Sequence, residues 1–327
     1  MAGTLKLMDP VGTSLIVTEY FKFLGLVPLI PSSWWVGEAL ALCETFLGIT
    51  VTMGLFKRVT AWISAAFMLT FTILTLILWI ANPQMDCGCF GEAVHLTHAQ
   101  SFMKNVVLDI LWVPTFLPLS AHRQEPKIKK KTFPIVAVCT IIFALGFATS
   151  IPAVDYTPMA TGTELYQEDD FLDNAPVLSF RTPDGEYADS LATTRRVMVI
   201  SAYNPQKLTD HDWRRMDSLA LRARSLRYNV LLLSAGIPEH ADSTFTDCTY
   251  LADRKTLMTL NRSNGGITYI VDGLIVRKWA ARRTPDAATL EKLRRADPTQ
   301  AAMEADTLPS LSVQGFVIIM FALMLLI

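Results

Sequence analysis

The apolar residues of this chain fall into two regimes. Before residue 153 they form long runs nearly free of charge, and after it they form short runs broken by charged, glycine- and proline-bearing stretches. A helix needs about 20 mostly apolar residues to cross a bilayer. Four early stretches come to about that length: Trp34–Phe56, Ala61–Ile80, about Phe102–Leu119 and about Phe133–Ile151. A fifth, Leu311–Ile327, is short, uncharged and runs to the last residue. Residues 11–30 are apolar but carry Glu19 and Lys22, which predicts an amphipathic helix lying on the membrane surface rather than a span.

The second regime opens with a polar linker, residues 153–175. A strand over Val177–Phe180 is then closed by the turn residues Pro183, Asp184 and Gly185. Val197–Tyr203 reads as a buried strand. Thr209 caps a helix whose Trp213, Met216, Ala220 and Ala223 recur at helical spacing. Asn229–Ala235 is a second buried strand and Arg254–Leu260 a helix. Two more strands join at Asp272-Gly273, a hairpin signal, and a last helix lies near Pro285–Arg295. The predicted fold class is an α-helical membrane bundle of four to five transmembrane helices plus an α/β soluble domain. The expected divisions are a membrane domain at 1–152, a soluble domain at 153–309 and a terminal membrane helix at 310–327.

Charge sets the orientation. Lys57 and Arg58 lie between the first two spans, and HRQEPKIKKK, residues 122–131, follows the third. Two spans separate these basic loops, so the positive-inside rule puts both in the cytoplasm. The loop between the second and third spans and the whole soluble domain then face outward, which in a bacterium means an inner-membrane protein exposed to the periplasm. The net charge of −1 argues against a nucleic-acid partner. Five cysteines cannot all pair, which points to a few specialised thiols rather than a disulfide scaffold.

The outward loop reads MDCGCFGEA over Met85–Ala93. A disulfide between Cys87 and Cys89 closes a very small ring, and Gly88 relieves the backbone crowding that such a ring demands. Strained disulfides are easily reduced, which suits exchange chemistry. Two other readings stand beside the redox pair. One is a loop staple or a pair of simple buried thiols. The other is a metal site in which His95 and His98 join Cys87 and Cys89. LTHAQS, which contains both His98 and Thr97, also reads as a helix-capping stretch.

Asp86 is a candidate modulator of the thiol pKa values. Glu44, a carboxylate well inside the first span, should face the bundle interior. It reads as a proton relay, as an anchor for a quinone headgroup, or as one half of a helix-locking hydrogen bond to Asn105, Thr70 or Thr72. Asp109 is expected to pair with Lys104, and Glu38 to be wet. Cys43 and Cys139 read as packing residues, and Arg222, Arg224 and Arg227 as a solvated helix face.

DCGCFGE at Asp86–Glu92 resembles the loop of DoxX-like membrane proteins, and among them the methylamine-utilisation MauE type. KLMDPVGT at Lys6–Thr13, Glu44 with Gly48 and Gly54, and KNVVLD at Lys104–Asp109 carry the same resemblance. It implies a role in maturing a disulfide-rich periplasmic enzyme with a thioredoxin-like partner. In that family a spanning helix precedes the KLMDP stretch, so the resemblance implies that this chain lacks it. The order β-α-β-α-β-β-α resembles the thioredoxin-like modules of periplasmic thiol proteins. Tyr203–Lys207 stands where those carry Cys-x-x-Cys, and Asn264-Gly265-Gly266 where they carry a cis-proline. Only Cys248 remains, so the domain is expected to bind rather than to exchange disulfides. The whole chain resembles the DoxX proteins of Bacteroidota that end in such a degenerate domain.

The expected function is thiol-disulfide exchange or protein maturation at Cys87 and Cys89, with Gly88 as spacer; as an enzyme it would be a thiol-disulfide oxidoreductase. Its partners would be membrane lipid, a periplasmic thiol protein, and a quinone as electron acceptor. The alternatives are a non-catalytic scaffold whose soluble domain docks a partner, and a bundle that binds a quinone or another small molecule.

Overall fold

A computed structural model describes residues 2–83, 85, 87–92, 94–116, 127–148, 151–152, 154–165, 176–238 and 243–326. Asp86 lies outside the described residues, as do residues 117–126 of the expected cytoplasmic loop and residues 166–175 of the linker. The chain divides into two compact units, Met1–Ala148 with Gln314–Ile327, and Thr149–Val313.

The first unit is helical. Its helices are α1 (Ala2–Met8), α2 (Pro10–Phe23), α3 (Ser33–Met53), α4 (Lys57–Ala81), α5 (His98–Phe116) and α6 (Lys127–Ala148), with a 3-10 segment at Val27–Ser32 and a short strand β1 at Cys89–Glu92. The KLMDP stretch is a helix break with a clear cause. The Asp9 side chain accepts a hydrogen bond from the Gly12 amide at 2.9 Å, and Pro10 occupies the first turn, where its missing N–H costs nothing. The expected helix over 11–30 therefore starts at Pro10, and it stops at Phe23, short of Gly25 at φ +71°. Rather than lying wholly on a surface, α2 buries Thr13 and Val17.

At Gly3 a Cβ would stand 2.5 Å from Thr45 Oγ1 and 2.6 Å from the Thr45 amide. Only glycine allows α1 and α3 to approach so closely, and that approach carries Lys6 to Glu44. Gly54, left-handed at φ +68°, closes α3. Thr97 and Gln100 open α5 with reciprocal side-chain-to-amide bonds of 3.0 and 3.2 Å.

Among the described residues two helices are long and apolar enough to cross a membrane, Val27–Met53 and Lys57–Ala81. Their apolar residues do not all turn inward: Trp62 and Ile80 on α4 are 72% and 76% exposed. A helix that is apolar on every face and exposes such side chains belongs in lipid. The four to five spans expected from the sequence are thus not all matched. Lys104, Asn105 and Asp109 interrupt α5, and the apolar part of α6, Lys131–Gly146, is shorter.

The second unit is a sheet with helices. Its strands are β2 (Phe180–Arg181), β3 (Val197–Ala202), β4 (Asn229–Ser234), β5 (Thr249–Ala252), β6 (Gly266–Val271) and β7 (Leu274–Trp279), in the order β2-β5-β4-β3-β6-β7. Strands β3, β4 and β5 run parallel in sequence, while β6 is antiparallel to β3 and β7 to β6. All six residues of β3 are buried, because apolar clusters cover both faces of the sheet. Helices α7 (Asp210–Ser225), α8 (Arg254–Leu260) and α9 (Ala287–Arg295) belong to this unit, as does α10 (Pro298–Leu326) up to Val313, its residues from Gln314 onward being counted with the first unit.

Thr209 caps α7 in a reciprocal box with Asp212, and Trp213, Met216, Ala220 and Ala223 form its buried stripe, as the spacing predicts. Asp272 and Gly273 both take positive φ in the β6–β7 hairpin, which suits a tight turn. Three details differ from the sequence reading. The strand expected over Val177–Phe180 is only the pair Phe180–Arg181. Strand β5 was not foreseen. Arg222, expected on a solvated helix face, is half-buried and donates to the Pro285 carbonyl at 3.1 Å, whereas Arg224 and Arg227 are exposed as expected, the Arg224 guanidinium also donating to Cys248 Sγ at 3.0 Å.

Candidate functional site

The Cys-Gly-Cys segment follows α4 and leads into β1. Gly88 is buried at φ +62°, and a Cβ there would stand 2.5 and 2.7 Å from two carbons of the Ile16 side chain. The loop is therefore pressed onto α2 at a point that only glycine fits. A second tie fixes the same place: Tyr20 Oη donates to the Cys87 carbonyl oxygen at 2.5 Å and lies 3.9 Å from its sulfur.

The two sulfurs are 2.9 Å apart, with both thiols free. A disulfide bond is about 2.05 Å long, so a small movement separates the reduced pair from the bonded one. Cys87 is 3% exposed and Cys89 is half-buried. The thiols share a proton unequally. The Cys89 thiol, directed at Cys87, pulls the Cys87 pKa below the ordinary thiol range. Burial opposes that shift, and the Ser101 hydroxyl, Tyr20 and the Lys104 ammonium add to it. Cys89 moves the other way, because a Cys87 thiolate holds its proton and burial penalises a second charge. Cys87 is thus the thiolate of the pair.

Ser101 is fully buried at the start of α5, and among the described residues its hydroxyl has no hydrogen-bond partner in the resting geometry. It is free to donate when Cys87 ionises. The capping box at Thr97 and Gln100 is what places this turn.

Lys6 and Glu44 form an ion pair at 2.5 Å, with side chains only 9% and 13% exposed. Sequence reasoning offered Glu44 the partners Asn105, Thr70 or Thr72, and the structure gives it Lys6 instead. The others are engaged elsewhere. Asn105 Nδ2 donates to Thr75 Oγ1 and to the Phe71 carbonyl, and Thr72 donates to Asp109 Oδ2 at 2.7 Å. Lys104, expected beside Asp109, lies over the Phe90 ring at 4.9 Å. Glu38, expected to be wet, has one buried carboxylate oxygen with no partner among the described residues.

Two cavities meet at Cys89. One of about 610 Å³ is almost wholly apolar and has Cys87, Gly88 and Cys89 in its wall. The other, about 460 Å³, contains Glu44, Lys104, Asn105 and Asp109. Lys6, Phe67, Phe71 and Cys89 belong to both. Lys6, Tyr20 and Ser101 carried no signal in the sequence strong enough to be chosen, because each gains its meaning only from tertiary neighbours.

His98 Nε2 stands 3.0 Å from the Pro83 carbonyl oxygen, and His95 is exposed. Among the described residues no three of His, Cys, Asp and Glu gather as metal ligands do. Cys43 is exposed on α3, while Cys139 packs beside Ile49, Met53 and Val136.

A family model for methylamine utilisation protein MauE matches residues 1–117. The segment similar to MauE holds every residue of the site just described and ends before the sheet unit begins. With the two apolar helices, the similarity to MauE makes this part of the chain a membrane unit. No curated protein and no solved structure matches the chain.

Proposed function

We propose that the chain is a membrane-bound thiol-disulfide exchange protein that serves the maturation of a partner, with Cys87 and Cys89 as its redox pair. The observation that carries this reading is the pair itself: two free thiols 2.9 Å apart, with the Cys87 pKa lowered and the Cys89 pKa raised. Cys87 as thiolate attacks one sulfur of a partner disulfide and forms a mixed disulfide. The partner's other sulfur leaves as a thiolate and takes up a proton. Cys89, having lost its proton, then attacks Cys87 and releases the partner dithiol. Run in reverse, the same steps oxidise a partner.

In this reading the helices span an inner membrane four to five times and the Cys-Gly-Cys loop faces the periplasm. Asp86 would tune the pair electrostatically. The sheet unit acts as a thioredoxin-like docking module. The sheet order of β4-β3-β6-β7 supports that fold, and the absence of cysteine from Tyr203–Lys207 supports docking without dithiol chemistry. The resemblance to DoxX proteins belongs to the same reading.

The test is the redox state of the pair. Cells are quenched in acid, thiols are tagged with a heavy maleimide, and the purified chain is titrated in defined thiol-disulfide buffers. A reversible Cys87–Cys89 disulfide, together with a mixed disulfide trapped by Cys89→Ser, is the expected result. A pair that stays reduced throughout, or a bridge that mild reductant cannot open, refutes the exchange reading and leaves a scaffold.

A further inference from the structure

We infer that the 610 Å³ apolar cavity is the binding site of a lipid-soluble quinone, which accepts the electrons of the Cys87–Cys89 pair. The inference rests on the thiol-exchange reading and adds to it the substrate that turns the pair over.

The cavity has the volume of an ordinary small-molecule site, which runs about 300–1,000 Å³. Its walls come from α2, α3 and α4, and its lining is overwhelmingly hydrophobic. Leu24, Trp62 and Ile63 line it and are themselves 45%, 72% and 50% exposed. In a membrane unit such side chains meet lipid, so the opening faces the acyl chains and admits an apolar occupant. The cavity also ends on both cysteines. A flat ring with an isoprenoid tail satisfies both conditions, the ring against Cys89 and the tail among the lipid.

The polar requirement is met as well. A quinone carbonyl needs a donor. Lys6 lines the cavity and has three N–H groups, of which its bond to Glu44 uses one.

The reaction balances. Two thiols lose two protons and two electrons, and one S–S bond forms. The quinone takes up both, and its two C=O groups become C–OH. The oxidant is the quinone itself.

The full chain, reduced and embedded in lipid nanodiscs without oxygen, is mixed with decyl-ubiquinone. Loss of quinone absorbance and loss of maleimide labelling at Cys87 and Cys89 are followed together. One quinol per chain and an unlabelled pair are expected. Ala66→Trp places a large side chain at the exposed rim of the cavity and should slow quinone reduction about tenfold or more. Ile73→Trp, an equal change on the outer face of α4 away from the cavity, should react at the unmodified rate.

If a soluble disulfide oxidises the pair and decyl-ubiquinone does not, the quinone inference is overturned while thiol exchange stands, and the cavity is a niche for a lipid tail. Quinone reduction by Ala66→Trp as fast as by the unmodified chain also overturns it. If neither oxidant closes the pair, the exchange reading fails and this inference fails with it. The unmodified chain alone gives the first and third of these results, so they do not depend on how a variant folds.

Discussion

Replacing Gly88 by alanine tests why the thiol loop has the shape it has. Two costs add. An alanine held at φ +62° occupies the left-handed region, which for a residue with a Cβ costs about 1–2 kcal/mol. The new methyl also stands 2.5 Å from Ile16 Cγ2 and 2.7 Å from Cδ1. Relieving such overlap by moving a packed neighbour costs about 1–3 kcal/mol, giving about 2–5 kcal/mol in all. The two terms separate in a double-mutant cycle with Ile16→Ala, since removing the Ile16 side chain relieves the clash and leaves the backbone term. Denaturant titration in mild detergent, read by tryptophan fluorescence, gives the four stabilities. The expected coupling is about 1–3 kcal/mol, with a residual Gly88→Ala cost of about 1–2 kcal/mol on the Ile16→Ala background. The same variant should change the apparent potential of the pair, because the loop must shift to accept the methyl. A Gly88→Ala protein as stable as the parent, or a loss that is the same with and without the Ile16 side chain, refutes the packing argument.

Glu44→Gln leaves the Lys6 charge buried and unpaired, and should destabilise the helical unit by about 3–5 kcal/mol, whereas Lys6→Met with Glu44→Leu should recover much of that loss; thermal unfolding of the three proteins is the check. The rate of iodoacetamide labelling at Cys87 should rise with a midpoint below the ordinary thiol pKa of about 8.5, and Ser101→Ala should move that midpoint upward; a midpoint at or above the ordinary value would falsify the thiolate assignment. In the sheet unit, Arg294 and Arg295 hold the Glu291 carboxyl down at about 2. A depressed carboxyl contributes stability that is fully present above the ordinary glutamate value and is lost as pH falls toward the folded one. Acid titration between about pH 4.3 and that folded value should therefore cost the parent more than Glu291→Gln, although exposure and salt screening keep the difference small. Asn261→Ala removes the donor to the Ile267 carbonyl at 3.0 Å and to the Trp279 carbonyl at 3.3 Å in a site 1% exposed, and should cost about 1–3 kcal/mol in denaturant unfolding.

How much of this was legible in the chain depends on the range of the force concerned. Local signals translated well. Thr209 with Asp212 and Asp272-Gly273 define a helix start and a turn through bonds made within a few residues, and both stand where the sequence puts them. The helix over Arg254–Leu260 has the predicted bounds. Strand β5 was missed because Thr249–Ala252 is only half-buried and short, and its place is set by its neighbour β4 rather than by its own pattern. The site shows the same division. Cys87, Gly88 and Cys89 announce themselves as a motif, and Glu44 as a charge in an apolar run. Lys6, Tyr20 and Ser101 do not, because a lysine near a chain start, a helix tyrosine and a helix serine are ordinary residues in sequence. They join the site through the Gly3 crossing, the loop pressed on Ile16 and the Thr97 cap, none of which shows in a hydrophobic pattern.

The same long-range contacts explain why Glu44 is tolerated in an apolar helix. A lone carboxylate there would be costly, and two of the neutral side chains expected to pair with it are engaged elsewhere, Thr72 with Asp109 and Asn105 with Thr75 and the Phe71 carbonyl. The Gly3 crossing solves the problem by delivering a cation, and Gly3→Ala would have to lift α1 away from Thr45 before Lys6 could reach its partner. Lys6 also lines both cavities beside Cys89. A buried ion pair adds little net stability compared with apolar residues of similar size. The role of this one is therefore best sought in where it puts a positive charge: next to the thiol that must lose its proton last, where that charge favours the second ionisation.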